Sequence, residues 1–540
     1  MLAGAAYLLT RWLLLPQRVA PWSPNYLLGK GTDPGQYVWS LAWWPYAISH
    51  GLNPFISKVV WAPQGFNLTW DASIPALAIM AWPLTALAGP VVAFNILTFI
   101  APVAAGVGAY LLCYALVRKP WPALVGGWLF AFSSYEMAQS QSHLNLDWTV
   151  AVPLLGWLAV ERFRGTRGQK AYVVATGLLL AFEFGTSIEI FATLTLFAIA
   201  AWLIAATLVS DERGRLHALA HDAALAYAIC VVVCLPYLVY FALGSDQVPA
   251  IIRSALTYST DLYNFVIPTP VAALGGAAAR PLTTLFTGNY GEDGAYLGIP
   301  VLCVLGYFAW TRRHSPWAAT ALVLVGLTAI ATLGPRLHVG GAIGPRLPWV
   351  VADHLPLLNS ALPARVTIYL AALVSAIAAA VLAGTGRRWW VGVAAAVLMV
   401  ASLWPATLPG LRVVPPAWVS SREYARLFPP AATLVVLPYG STGNSMLWQA
   451  LSGFYFRMAG GYTTIVPLSF SREAPVGWFF AGELPHRFGP LLTQFCQDHR
   501  VLAIVVDGRA LRSWAPALQD LGWRRTSVGD SAVFWVPTVH

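Results

Sequence analysis

The chain has 540 residues, of which 58% are hydrophobic and only 10% are charged. Soluble proteins carry about 25% charged residues, so this composition excludes a chain built only of soluble domains, because too few charges are present to cover their surfaces. The net charge of +10 does not indicate a nucleic-acid partner, since many of the basic residues lie in short loops between apolar runs.

Apolar runs recur from the first residue to about Gly410, and a bilayer span needs roughly 20 such residues. The first run contains Arg11 and has no basic segment before it, so we interpret it as a membrane helix and not as a signal peptide. In chain order, the sequence predicts eleven membrane helices, at about residues 2–20, 91–117, 121–136, 148–161, 171–184, 188–209, 223–243, 296–310, 316–334, 366–384 and 389–409.

Five loops between these helices are basic, and the positive-inside rule places such loops in the cytoplasm. The basic residues of these loops lie within residues 118–119, 162–170, 213–215, 312–313 and 387–388. This orientation requires that the apolar residues 73–89 do not cross the membrane, since a crossing would invert every later loop. We therefore predict a re-entrant or interfacial segment there, which Pro75 and Pro83 also favour.

Residues 21–90 then form one long external loop. Its aromatic stretch is typical of a helix that lies at the membrane interface, and it comprises Tyr37, Trp39, Trp43, Trp44 and Tyr46. The apolar runs near 432–438, 501–508 and 532–536 predict strands of a small α/β unit in the tail. The expected architecture is an all-α, polytopic membrane domain over 1–409, including loop 21–90, and an external α/β domain over 410–540.

Asp33 is the first candidate for chemistry, because it precedes the aromatic helix on the predicted outer side. An Asp-Pro-Gly sequence also favours turns and helix caps, which is the purely structural interpretation. The functional interpretation is a carboxylate that accepts a proton from an acceptor hydroxyl as general base, or that holds a divalent cation.

Further polar residues cluster on the same predicted side. His143 and Asp147 belong to the loop 136–147, which forms either a solvated hairpin or a second wall of the same site. Glu183 lies at an outer helix turn, and Glu292 lies in a polar turn before a helix. Arg365 begins another helix, where its guanidinium either snorkels to lipid phosphate or binds a substrate phosphate.

The first external loop resembles that of GT-C fold glycosyltransferases, the class that includes oligosaccharyltransferases, protein mannosyltransferases and lipid A aminoarabinose transferases. More closely, the chain resembles a group of bacterial GT-C-like membrane proteins. The matching segments lie at 33–34, 39–43, 50–55, 62–68, 89–90 with Asn95, 446–450 and 460–462.

This resemblance implies an enzyme that takes a sugar from a polyprenyl-phosphate or dolichyl-phosphate carrier on the outer side of the membrane. Asp33 matches the acid of the first loop, and Arg365 matches a contact with the carrier phosphate. Many members have two adjacent acids where this chain has Asp33 followed by Pro34. The resemblance therefore leaves open a divalent cation, Mg²⁺ or Mn²⁺, for which Asp33 would be the ligand.

The sequence thus predicts a glycosyltransferase in a bacterial cytoplasmic membrane, acting on a glycan, lipid or protein acceptor. The substrate-binding residues would be His143, Asp147, Glu183, Glu292 and Arg365, with Asp33 as the catalytic residue. Two other functions remain open. A transporter or flippase would bind its substrate near the midplane, through internal repeats that this sequence does not show. A non-catalytic assembly protein would use the external tail.

Overall fold

The structure is a computed structural model. It describes residues 2–16, 19–244, 254–352, 354, 361–508 and 510–537. By their internal contacts, the residues fall into two compact units. The helical unit comprises 1–21, 96–234 and 251–410, and the sheet unit comprises 22–95, 235–250 and 411–540.

The described α-helices are, in chain order, α1 (Leu2–Leu13), α2 (Asp33–Ser49), α3 (Pro75–Met80), α4 (Trp82–Ala88), α5 (Pro90–Val117), α6 (Pro120–Ala131), α7 (Ser134–Gln139), α8 (Leu144–Asp147), α9 (Ala151–Phe163), α10 (Gln169–Phe184), α11 (Ile188–Leu208), α12 (Arg213–Leu243), α13 (Arg280–Thr283), α14 (Ile299–Arg312), α15 (Pro316–Thr332), α16 (Trp349–Ala352), α17 (Thr367–Ala383), α18 (Trp389–Ser402), α19 (Ala417–Ser420), α20 (Tyr424–Leu427), α21 (Ser445–Leu451), α22 (Leu468–Ser471), α23 (Ala474–Ala481), α24 (Gly489–Asp498) and α25 (Leu511–Asp520). The strands are β1 (Tyr26–Leu28), β2 (Ile56–Ser57), β3 (Phe66–Asn67), β4 (Arg336–Val339), β5 (Ala342–Arg346), β6 (Gly410–Arg412), β7 (Thr433–Leu437), β8 (Arg457–Met458), β9 (Val501–Val506), β10 (Arg525–Val528) and β11 (Ser531–Trp535).

Four helical segments in the described part of the chain are long and apolar enough to cross a membrane. They are Pro90–Val117, Ile188–Leu208, Ser210–Leu243 and Pro363–Ala383. Two further helices, α14 and α15, are also apolar but are shorter, with lengths between 10 and 17 residues. Each of the eleven predicted segments contains a helix, but only these four reach spanning length, so the number of membrane crossings stays a prediction.

Several helix limits differ from the predicted ones. The predicted first helix extends to residue 20, but α1 ends at Leu13, and residues 17 and 18 lie outside the described residues. The third predicted helix ends near 136, whereas α6 ends at Ala131. There Ser133 accepts a hydrogen bond from the Glu136 amide and begins the separate helix α7, as serine does at helix N-termini.

Small residues allow close packing in the helical unit. At Gly126 on α6, an added Cβ would lie 2.7 Å from the Cys113 sulfur and 3.0 Å from the Ser375 carbonyl oxygen on α17. Such small-residue contacts let apolar helices approach closely where burial of apolar surface gives no drive towards association. Substitution of Gly126 would therefore force α5, α6 and α17 apart.

The sheet unit contains a five-stranded sheet in the order β10-β11-β9-β7-β8. Strand β7 is parallel to β8 and β9, whereas β11 is antiparallel to β9 and β10. Strand β7 is buried at every position, as expected for a parallel strand covered on both faces. The three tail segments predicted as strands form β7, β9 and β11.

Residues 22–95 group with the tail, whereas the predicted domain division at 409/410 assigns them to the membrane domain. The reason is a set of backbone hydrogen bonds between the two segments. Trp61 N donates to Gly460 O at 3.0 Å, and Met458 N donates to Val59 O at 2.8 Å. The chain around residues 59–62 therefore continues the hydrogen bonding beyond strand β8.

Residues 73–89 form two short helices, α3 of six residues and α4 of seven. At 1.5 Å per residue, each helix is about 9–11 Å long, while the hydrocarbon core is about 30 Å thick. Ala81 ends the first helix, and Pro83 lies in the first turn of the second. Neither helix is long enough to cross the membrane alone.

The aromatic stretch of α2 is helical, and its indole rings are buried inside the protein; the position of this helix at a membrane interface stays a prediction. Trp39, Trp43 and Trp44 are at most 2% exposed within the sheet unit. Each indole N–H has a protein acceptor: Gln449 Oε1 at 2.7 Å, Pro54 O at 2.9 Å and Ser73 O at 2.9 Å, respectively. The rings are buried because their polar groups are satisfied inside the protein.

Candidate functional site

Arg365 lies in a buried charge centre of the helical unit. It belongs to the helical turn Pro363–Val366 before α17, and its side chain is 10% exposed. Its Nη2 donates to Glu292 Oε1 at 2.6 Å, and its Nε bonds both Glu292 oxygens at 3.1 Å. Its Nη1 donates to Glu189 Oε2, and Glu189 Oε1 accepts the Leu362 amide at 2.9 Å. One guanidinium thus bonds two carboxylates.

The loop that carries Glu292 packs directly on helix α7. At Gly294, an added Cβ would lie 2.8 Å from the Cα of Tyr135, so only glycine fits this contact. Gln139, at the end of α7, donates from Nε2 to Gly291 O at 2.8 Å and bonds His143 Nδ1 through Oε1 at 2.7 Å. His143 is therefore held beside the loop of Glu292 through Gln139.

Asp147 is fully buried, contrary to a solvated hairpin over 136–147. Its Oδ1 accepts a hydrogen bond from Ser140 Oγ at 2.5 Å, and Thr149 Oγ1 donates to the neighbouring carboxylate of Glu136. Asp147 and Glu136 interact electrostatically with Arg11, which is 1% exposed and donates to Thr98 O at 2.9 Å. The loop is thus an internal polar cluster of the helical unit.

Glu183 is also fully buried near the end of α10. Neither of its carboxyl oxygens has a hydrogen-bond partner, and it interacts electrostatically with Glu136. An ionised carboxylate in such a position would be costly. Glu183 therefore belongs to the same group of internal carboxyls as Glu136 and Asp147.

Asp293 follows Glu292 and is 2% exposed. Burial raises the pKa of Asp293 to about 8, and the charges of Glu292 and Asp261 contribute in the same direction. A carboxyl group with this pKa is largely protonated at neutral pH. The loop of Glu292 thus combines one carboxylate bonded to Arg365 with one neutral carboxylic acid.

Asp33 lies in the sheet unit, at the first turn of α2, and is half-buried. It is the first helical residue and not the cap, since Thr32 occupies the cap position. The Tyr462 hydroxyl donates a hydrogen bond to Asp33 Oδ1. The tail therefore contributes a side chain to the surroundings of the predicted catalytic acid.

A second acid of the first loop, Asp71, follows the helical turn Leu68–Trp70 and contacts α2 at Gln36, one helical turn beyond Asp33. Its Oδ1 accepts hydrogen bonds from Gln36 Nε2 at 2.8 Å and from the Thr464 amide at 2.6 Å. Asp71 is 7% exposed, and burial raises the pKa of its carboxyl while these two hydrogen bonds oppose the rise. Its Oδ2 has no hydrogen-bond partner.

The structure brings together Arg365, Glu292 and, through Gln139, His143. Asp147 and Glu183 belong to the neighbouring set of internal carboxyls in the same unit. The prediction that Asp33 lies within reach of these residues stays a prediction, since Asp33 belongs to the sheet unit.

Sequence reasoning missed Asp71 and the contact made by Tyr462. The available signals were a carboxylate directly before the apolar run 73–89 and the Gly460-Gly461-Tyr462 motif.

The divalent cation at Asp33 stays a prediction. Among the described residues, no group of three or more His, Cys, Asp or Glu side chains is placed to hold a metal ion. Asp33 and Asp71 each bond to protein donors in the contacts given above. We therefore derive no chemical step through Mg²⁺ or Mn²⁺.

Comparison with solved structures shows the fold. The chain superimposes on an arabinofuranosyltransferase, AftD from Mycobacteria, with a TM-score of 0.59 and 12% identity, covering 100% of this chain and 40% of that one. It superimposes on the Archaeoglobus fulgidus oligosaccharyltransferase in the apo form with a TM-score of 0.57 and 14% identity, covering 94% and 69%. The complex of the latter protein with an inhibitory peptide and a dolichol-phosphate gives 0.51 and 14%, with the same coverage.

These neighbours are GT-C fold enzymes, so the chain has the GT-C fold and is a multi-pass membrane protein. The identities of 12–14% establish the fold alone, and the chain spans less than half of the length of AftD. A comparison with curated protein sequences finds no match. The model of one family, described as a domain of unknown function (DUF6311), matches residues 2–404. Because this match covers most of the chain, the protein belongs to the DUF6311 family.

Proposed function

We propose that the protein is a glycosyltransferase that moves a sugar from a polyprenyl-phosphate donor to an acceptor on the outer side of a bacterial cytoplasmic membrane. The observation that carries the proposal is Asp33, a half-buried carboxylate in a chain with the GT-C fold. The oligosaccharyltransferase that shares this fold has been solved with a dolichol-phosphate, which supports a lipid-phosphate donor. The acceptor is a glycan, a lipid or a protein.

In the proposed reaction, the Asp33 carboxylate accepts the proton of the acceptor hydroxyl. The acceptor oxygen attacks the anomeric carbon as the bond from that carbon to the phosphate oxygen breaks, and the electron pair of this bond leaves with the lipid phosphate. General base catalysis of this kind contributes typically about 10²–10⁴-fold. The products are the glycosylated acceptor and the free polyprenyl phosphate.

The helical unit would bind the donor. Arg365 fixes the loop of Glu292 beside α11, and the guanidinium N–H groups that the two glutamates do not occupy would meet the donor phosphate. His143 would contact the sugar or acceptor from its place beside Gly291. The buried positions of Asp147 and Glu183 support a role in shaping the part of the donor site that the loop 136–147 would form. The tail of the chain would lie outside the membrane.

The test uses the purified full chain in proteoliposomes that contain undecaprenyl-phosphate-linked, radiolabelled sugars, with membrane extract as the source of acceptor. Release of undecaprenyl phosphate together with transfer of the label measures the reaction. Asp33→Asn preserves the shape but cannot accept the proton, so it should lose at least about 10²-fold in rate. The matched control is Asp520→Asn, an exposed residue of the tail.

Full activity in Asp33→Asn would refute Asp33 as the base. Label transfer from none of the donors by the wild-type protein, under conditions in which it remains folded, would refute the proposed reaction for those sugars.

A further inference from the structure

Two sets of hydrogen bonds join the same pair of segments in the sheet unit. Tyr462 donates to Asp33 in one, while Gln36 and Thr464 both donate to Asp71 in the other. Asp33 and Gln36 are three residues apart on α2, a spacing that places them on one face of the helix. Tyr462 and Thr464 are two residues apart in the tail. Asp71 therefore ties together the two segments from which the Asp33–Tyr462 contact is made.

We propose that Asp71 is a positioning residue for the transfer reaction and that it holds the tail segment 460–464 so that Tyr462 donates to Asp33. The inference rests on the proposed function, in which Asp33 is the general base. Under this inference, the tail contributes Tyr462 directly to the active site. Asp71, the second acid of the first loop, acts without contacting the substrate.

Further contacts show that the segment 460–464 is fixed and not merely adjacent. Trp61 Nε1 donates to Thr463 Oγ1 at 2.9 Å, and Thr463 Oγ1 donates to Ile465 O at 2.6 Å. The Ala72 amide bonds Thr464 Oγ1 at 3.4 Å, directly after Asp71. Among these contacts, two end on the same buried oxygen, Asp71 Oδ1, so this one side chain contacts both α2 and the tail segment.

The chemical consequence concerns the ionisation of the base. A hydrogen bond donated to a carboxylate favours its charged form, and only the charged form of Asp33 accepts a proton from the acceptor hydroxyl. Tyr462 keeps its own proton throughout and acts only as a donor. Loss of this hydrogen bond should therefore shift the acid limb of the pH–rate profile to higher pH.

The role of Asp71 can be separated from a catalytic one by the choice of substitution. Both hydrogen bonds to Asp71 end on Oδ1, and the amide oxygen of Asn can accept them in the same place. Asp71→Asn should therefore retain much more activity than Asp71→Ala. If the carboxylate itself acted on substrate or held a cation, Asp71→Asn and Asp71→Ala would be equally impaired.

The experiment uses the proteoliposome assay described above, with kcat/KM measured from about pH 3.5 to 9, a range that includes the titration of an Asp carboxyl. Tyr462→Phe should move the acid limb upward by about one pH unit, which is about a tenfold loss below that limb. Tyr455→Phe is the matched control, because it removes another tail hydroxyl, one that bonds Phe428 O. Asp71→Ala should reproduce the shift of Tyr462→Phe, and the double variant should be no worse than Asp71→Ala, since both changes remove the same contact.

Amide hydrogen exchange at Thr464 provides a readout that does not depend on activity. Exchange should become faster in Asp71→Ala and stay unchanged in Tyr455→Phe and Asp33→Asn. Any one of four results would overturn the inference. Two concern the pH–rate measurements: additive losses in the double variant, or an unshifted acid limb in Tyr462→Phe. The other two are equal inactivity of Asp71→Asn and Asp33→Asn, and unchanged exchange at Thr464 in Asp71→Ala. Inactivity of the wild-type protein or full activity of Asp33→Asn would instead count against the proposed function. The exchange measurement would still test whether Asp71 fixes the tail segment 460–464.

Discussion

Substitution of Arg365 by Met should destabilise the protein by about 3–5 kcal/mol, the cost of removing one member of a buried ion pair. Arg365 is 10% exposed at its side chain, and its two partners, Glu292 and Glu189, are 3% and 21% exposed. Without the guanidinium, both carboxylates lose the cation that they share. Glu292 contributes most of the cost because it is the more deeply buried of the two.

The same structure predicts how the loss can be reversed. Replacing a whole buried ion group by neutral residues of similar shape is often close to neutral in stability. The triple variant Arg365→Met, Glu189→Gln, Glu292→Gln should therefore recover most of the free energy lost in Arg365→Met. Arg426→Met is the control, because Arg426 is 80% exposed beside Glu423, and exposed ion pairs contribute only about 0–1 kcal/mol.

The free energy of unfolding can be measured by SDS titration in mixed micelles, followed by tryptophan fluorescence, with each variant titrated beside the wild type. An Arg365→Met variant as stable as the wild type would refute the reasoning, and so would a triple variant no more stable than the single one. The proposed phosphate contact leads to a separate expectation: the KM for the donor should stay higher than in the wild type for the triple variant, even when the stability of that variant has recovered.

Two further predictions concern pH and topology. Burial raises the pKa of Asp293 to about 8, against about 3.9 for an unfolded Asp. Between these values the folded state binds more protons than the unfolded state, so stability should fall as pH rises from about 4 to 8. Asp293→Asn should reduce this fall in the SDS titrations, and an unchanged pH dependence would contradict the prediction. A reporter fused after Arg388 should behave as cytoplasmic and one at the C-terminus as external, because the basic loops orient the helices; the reverse result would refute the predicted topology.

The elements that were predictable from the sequence are those with a local cause. Strands β7, β9 and β11 follow from short apolar runs bounded by turn residues, and the helices of the helical unit follow from long apolar runs. Segment 73–89 follows from its prolines, which begin α3 and lie in the first turn of α4. Each of these signals acts within a few residues, so one sequence is enough to read it.

The environment of the aromatic helix was not predictable in this way. Lipid and protein interior are both apolar, so the composition of α2 is compatible with either. The difference lies in where the indole N–H groups find acceptors, and Trp39 finds Gln449, a residue 410 positions later. Only the fold of the tail onto the first loop brings this acceptor to α2.

The candidate site shows the same distinction for charges. An ionisable residue in a membrane protein is costly unless it has partners, so the sequence could single out Glu292 and Arg365 but could not choose between a lipid contact, a substrate contact and an internal partner. The structure shows that Arg365 bonds two internal partners, Glu292 and Glu189, which lie 73 and 176 residues away in the sequence. The phosphate contact proposed for Arg365 would use the N–H groups that Glu189 and Glu292 do not occupy. Because the triple variant lacks these N–H groups while its stability recovers, its donor KM tests the phosphate contact separately from the stability of the fold.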